Sequence, residues 1–134
     1  MKTENLSGVA LDWAVAKCEN KNFELVESFL DYYDEGGMHY ADDWAMAGPI
    51  IEREGITIVR CSGDLGEPRT YWSATSEMQA WHWGYGPFHE PDEDKSIQIY
   101  ASQTIKGPTP LIAAMRCYVA SKLGDDVDIP RELQ

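Results

Sequence analysis

Basic residues are scarce in this 134-residue chain: 11 Lys and Arg stand against 23 Asp and Glu, a formal charge of −12. A protein that coats nucleic-acid phosphates needs the opposite balance, so direct nucleic-acid binding is not expected. Cysteine is scarce too. Cys18, Cys61 and Cys117 are odd in number, scattered and without CxxC spacing, which points to three buried or partly buried thiols rather than a zinc site or disulfide framework. No apolar run is long enough to cross a bilayer, and residues 1–8 hold no signal-peptide apolar region, so no membrane partner is expected and the expected compartment is the cytoplasm. Tandem repeats, a P-loop, a usable GxGxxG and a nucleophile motif are all missing, so no catalytic residue and no cofactor is assigned.

What is present is an ordinary globular composition, 43% hydrophobic and 25% charged. A chain of this length can bury a sizeable core, and the simplest organisation is one domain over 1–134 with an acidic tail from about 125. The clearest element lies near the end. Thr109 suits an N-cap and Pro110 the first helical position, where no amide hydrogen is needed. Leu111, Ile112, Met115, Tyr118, Val119 and Leu123 then recur at helical spacing, and Gly124 stops the run, predicting a helix over 110–123. Its other side carries the small residues Ala113, Cys117 and Ala120, which would let a second element come close.

At the other end, Ser7 can cap a helix over about 8–18, apolar nearly all round, with Asn20 just past its end. Its residues Ala10, Ala14 and Ala16 are expected to lie against the small face of the C-terminal helix. Residues 23–33 fit helix and strand equally. Asp43 can cap a short turn over 44–47, and Gly48 with Pro49 restarts a helix over about 49–54 that Gly55 closes. Alternation then predicts strands over 56–61, 70–75, with Trp72 and Ala74 on one face, and 97–105. The fold class expected is α+β: a small antiparallel sheet of three to four strands packed against an N-terminal and a C-terminal helix, with a short central helix.

Three stretches carry a family resemblance: LSGVALDWAVAKCE near the start, DWAMAGPIIEREGI in the middle and GPTPLIAAMRCYVASKLGDDVDIP at the end. Together they cover 52 of the 134 residues, and through them the chain resembles the NinX-like proteins of lambdoid and related bacteriophages and their prophages. Where that family usually has a Tyr-Ser-Pro-Ser-Thr-Asp-Trp-like loop, this chain has Tyr40, Ala41, Asp42, Asp43 and Trp44. The resemblance implies a small phage accessory protein acting in the bacterial cytoplasm, and it transfers no catalytic residues.

Two constellations suit a ligand. Trp81, His82, Trp83, Tyr85 and Phe88 crowd into 81–88, with Trp44 and Trp72 elsewhere. Such rings can stack on a nucleobase, at about 1–3 kcal/mol per base, or fill the core, and Trp72 is the one most suited to the core. The helix start at Thr109 offers free amides to a phosphate; Arg116 leans towards it, and Arg53 or Arg60 could complete a bidentate clamp. The commoner fate of such groups is a plain cap and a plain ion pair. Together the features point to a nucleotide-like ligand held by Trp44, Arg53, Trp81, Trp83, Tyr85, Thr109 and Arg116, sequestered without turnover, with antagonism of host defence as the purpose. The alternative is an acidic inhibitor, or DNA mimic, acting on a host protein. Exposed loop aromatics would also allow a homo-oligomer. Enzymatic readings, a hydrolase among them, are weaker. Glu52 and Glu54 do not share a helix face. His39, His82 and His89 with Asp42, Asp43, Glu90 and Asp92 lack metal-ligand spacing, so no metal residue is assigned.

Overall fold

The computed structural model describes residues 1–21, 23–62, 70–76 and 104–134. Among them are four α-helices, α1 (Gly8–Cys18), α2 (Val26–Asp34), α3 (Trp44–Glu54) and the C-terminal α4 (Pro110–Leu123). Strands β1 (Thr57–Ser62), β2 (Thr70–Thr75) and β3 (Ile105–Gly107) form an antiparallel sheet in that order, so the α+β class holds. Residues 97–103 of the third predicted strand, and any fourth strand, lie outside the described residues.

The ends of α4 follow from local chemistry. Thr109 is extended and its hydroxyl accepts from the Ile112 amide at 3.1 Å, while Pro110 occupies the first turn. Gly124 ends the helix at φ 86°, a conformation that disfavours a side chain. Leu111, Ala113, Ala114, Met115, Cys117, Tyr118 and Val119 are all buried, which is more than one face of a helix. The sheet packs on one side of α4 and α1 on another, with α3 also in contact.

The small face of α4 was expected against α1; at Ala113 it meets the sheet. A Cβ placed on Gly107 would come within 2.6 Å of the Ala113 amide nitrogen and 2.9 Å of its Cα. Only a glycine strand residue allows this approach. The register explains why Gly107 is there: Gly107 pairs with Trp72 and Ile105 with Ala74, so these four share the sheet face that meets α4. Ala74 is accordingly buried and Trp72 packs against the core.

Helix α1 runs over the predicted residues, and Asn20 takes φ 60° just beyond it. Ser7 stands at its N-cap position without making a side-chain cap bond, contrary to expectation. The undecided segment contains a helix, α2, because its apolar side rests on the Trp13 ring of α1. Phe29 meets Trp13 edge-on at 5.1 Å, and Phe23 packs on both. Helix α3 corrects the predicted restart at Gly48 and Pro49. It is continuous from Trp44, capped by Asp43 accepting from the Ala45 amide at 2.9 Å and closed by Gly55 in the left-handed region. A proline disfavours helix at the preceding residue largely by striking its Cβ, and Gly48 has none.

Gly107→Ala should lower stability by about 1–3 kcal/mol, because the added methyl meets backbone rather than a movable side chain. The readout is the urea midpoint at unchanged slope. An unaltered midpoint would mean that β3 and α4 are not so close.

Candidate functional site

Arg116 was expected to face an anion at the Thr109 helix start. Its side chain does lean that way, but it meets carbonyls: Nε donates to Leu6 at 2.7 Å and Nη1 to Lys106 at 2.9 Å. It ties the N-terminal segment to β3. Beside it, along the β3 edge, runs a groove of about 780 Å³ lined by Glu4, Tyr71, Lys106, Pro108 and Arg116 among others. Tyr71 and Lys106 stand on the sheet face away from α4, and the Lys106 ammonium sits 4.9 Å over the Tyr71 ring. The Thr109 hydroxyl is already engaged as the cap of α4.

Arg53 does not join this groove, so the proposed Arg53–Arg116 clamp is not assembled. It makes a bidentate pair with Glu19, Nη1 to Oε1 at 3.2 Å and Nη2 to Oε2 at 2.8 Å, and Nη2 also donates to the Tyr118 hydroxyl at 3.1 Å. Tyr118 in turn donates to Glu19 at 2.7 Å, and Lys122 pairs with Glu54 at 3.2 Å. Burial pushes the Glu19 carboxyl up, but the bonds from Arg53 and Tyr118 outweigh it and hold the group below its ordinary value. These residues border a second hollow of about 580 Å³ between α1, α3 and α4. Arg60 is exposed on β1, opposite Trp72. Trp44 is 55% exposed in the first turn of α3 and lines neither hollow. Trp81, Trp83 and Tyr85 lie outside the described residues, as do His82, Phe88, His89, Glu90 and Asp92.

A third constellation was legible only in part. The sequence offers His39 and Asp42 as candidate ligands but not Asp12, the one acid inside α1. Asp12 is 1% exposed and accepts from the Ala41 amide at 2.8 Å, holding the 38–43 loop against the helix. Burial pushes its carboxyl up to about 7, opposed by the Ala41 bond. Met38, in the left-handed region at φ 64°, turns the chain so that His39 stacks on Tyr33, ring centroids 4.0 Å apart. Donor atoms of Asp12, His39 and Asp42 all lie within 4.8 Å of one another. The signal available in the sequence was the acid itself, set between apolar residues in the middle of α1, where Lys17 near the end is the only other charge. Asp43, also considered, is spent on capping α3.

A family model described as bacteriophage P22 NinX matches residues 2–122. The chain belongs to the NinX family. No curated protein matches it. Membership makes it a phage accessory protein, and the match extends over residues 20–42 and 57–106, which the three motif stretches left uncovered. Among the described residues of this NinX protein no helix is long and apolar enough to cross a membrane.

The depressed Glu19 carboxyl gives a pH signature. A group whose folded pKa lies below its unfolded value stabilises above the unfolded pKa and loses that contribution as pH falls through the folded one. Glu19→Gln should therefore cost about 0.5–1 kcal/mol near neutral pH, discounted because Arg53 is half exposed. Below about pH 4 the variant and wild-type urea midpoints should converge. A gap that stays constant down to pH 3 would exclude the ion pair as its origin.

Proposed function

We propose that this NinX protein is a non-enzymatic binder that captures a small nucleotide-type ligand in the groove along β3, in the cytoplasm of the phage's bacterial host. The observation that carries the reading is the convergence of two cations and an aromatic ring on one groove in a protein whose net charge is −12. Its volume, about 780 Å³, lies in the range that holds a ligand of this size. Tyr71 supplies a flat face for a base, and Lys106 and Arg116 supply charge for phosphate. A phosphate would compete with the Tyr71 ring for the Lys106 ammonium, since an anion is the stronger partner. Arg116 keeps its two carbonyl bonds and contributes field rather than a free fork. Glu4 at the same groove can accept from an amino or hydroxyl group and weighs against highly charged polyphosphates. Sequestration of such a signal from host defence is the purpose this reading assigns.

Calorimetry of the full chain against a panel of cyclic and linear nucleotides tests it. Saturable heat is expected with at least one. Lys106→Ala and Tyr71→Ala should each weaken that binding by about 1 kcal/mol or more, several-fold in affinity. Absence of heat with every nucleotide overturns the reading. Salt-sensitive capture of a basic host protein would then favour an acidic inhibitor, which the pairing of Lys2, Arg53 and Lys122 with carboxylates supports by leaving much of the surface negative.

A further inference from the structure

The three groups Asp12, His39 and Asp42 cannot rest together as bare acceptors. His39 Nε2 lies 2.8 Å from the Tyr33 carbonyl oxygen. A carbonyl only accepts, so Nε2 carries a hydrogen and donates it. In the neutral imidazole this leaves a lone pair on Nδ1, and Nδ1 faces Asp42 Oδ1 at 3.2 Å. Two acceptors in that position need a cation between them. A proton on Nδ1 would serve His39 and Asp42 alone. It would leave Asp12, buried and within 4.8 Å, to the Ala41 amide and the Tyr33 hydroxyl, with no cation directly on its carboxylate.

The geometry points to a larger cation: we propose that Asp12, His39 and Asp42 form a binding site for a divalent first-row transition ion of the Zn²⁺ or Mn²⁺ class, with water completing the coordination. Two carboxylates and one imidazole match the oxygen and nitrogen preferences of these ions, and two negative charges neutralise a divalent one. Ligand atoms bound at about 2.1 Å stand roughly 3.0–3.4 Å apart in octahedral or tetrahedral geometry, and the His39–Asp42 pair is already at 3.2 Å. Asp42 is largely exposed and can rotate to close the remaining distance towards Asp12. The surroundings are those a ligand set needs. The Nε2–H bond to Tyr33 fixes the tautomer that presents Nδ1, the Tyr33 ring fixes the plane of the imidazole, and the Ala41 amide orients Asp12. One carboxylate oxygen can accept from Ala41 while the group keeps other lone pairs for the ion. The site is separate from the β3 groove and does not depend on what that groove binds.

The test is titration of the full chain, stripped of metal by chelator, with zinc chloride and manganese chloride in separate calorimetric runs, followed by melting with and without each ion. One equivalent of at least one ion should bind saturably and raise the melting temperature, since a ligand specific to the folded state stabilises it by mass action. His39→Gln and Asp42→Asn, both partly exposed positions, should keep the metal-free melting temperature near wild type and weaken binding at least tenfold. Asp12→Asn should do the same where it folds, and the other two variants decide the matter where it does not. Failure of both ions to bind saturably overturns the proposal. So does a loss of less than tenfold in either His39→Gln or Asp42→Asn, because the ion would then sit on other donors such as the cysteines.

Discussion

The contact between Gly107 and Ala113 is the constraint on which the rest of the fold depends. It sets the separation of β3 and α4 at a backbone-to-backbone distance, and β3 carries β2 and β1 with it through the ladder. Hydrophobic burial alone would favour contact without choosing a register, because it is proportional to area and has no direction. A missing side chain chooses one. With the sheet fixed on the small face, the remaining apolar surface of α4 is left to α1 and α3. That is why α4 is buried more widely than an amphipathic surface helix.

Polar joints then fix what the core leaves free. Arg116 spans from α4 to the carbonyls of Leu6 and Lys106, Tyr118 and Arg53 bring Glu19 at the end of α1 to α3, and Asp12 holds the loop before α3. The termini are tied in the same way: the Met1 amino group donates to the Val127 carbonyl, the Thr3 hydroxyl to Gly124, and Lys2 pairs with Asp126. The segment after α4 is acidic by composition. In the fold it is docked, with Val127, Ile129 and Leu133 buried.

The sequence made legible what is decided within a few residues. Both ends of α4, the length of α1, the Asp43 cap and the faces of β2 follow from capping chemistry and period, and all stand in the structure. It misled wherever the decision was tertiary or depended on a neighbour. Pro49 reads as a break, but Gly48 removes one of the clashes that disfavour helix there, that with the Cβ of the preceding residue. The small face of α4 reads as a partner for α1's alanines, but nothing local announces that a strand glycine will arrive there first. Arg53 and Arg116 read as one clamp because both are long cations near helix ends. Their partners divide them: Arg116 goes to the Leu6 and Lys106 carbonyls, and Arg53 to the Glu19 carboxylate and the Tyr118 hydroxyl. Asp12 and His39 meet only because α2 folds back on Trp13, through a chain of rings from Trp13 to Phe29 to Tyr33.

These joints differ in how much bonding capacity they have left, and that, more than charge, separates structural polar groups from those open to a ligand. The Arg53, Glu19 and Tyr118 cluster is closed on itself: both carboxylate oxygens, the hydroxyl and the guanidinium fork all bond one another. A ligand there would have to replace good charge-assisted bonds with equals. At the β3 groove, Lys106 rests on a ring, a weaker partner than an anion. At Asp12 the residual capacity is larger still, because a buried carboxylate that accepts from Ala41 retains lone pairs facing an imidazole nitrogen and a second carboxylate. Burial raises that carboxyl to about 7, so near neutral pH it stands between a neutral acid, which can donate, and a carboxylate, whose free lone pairs would call for a cation.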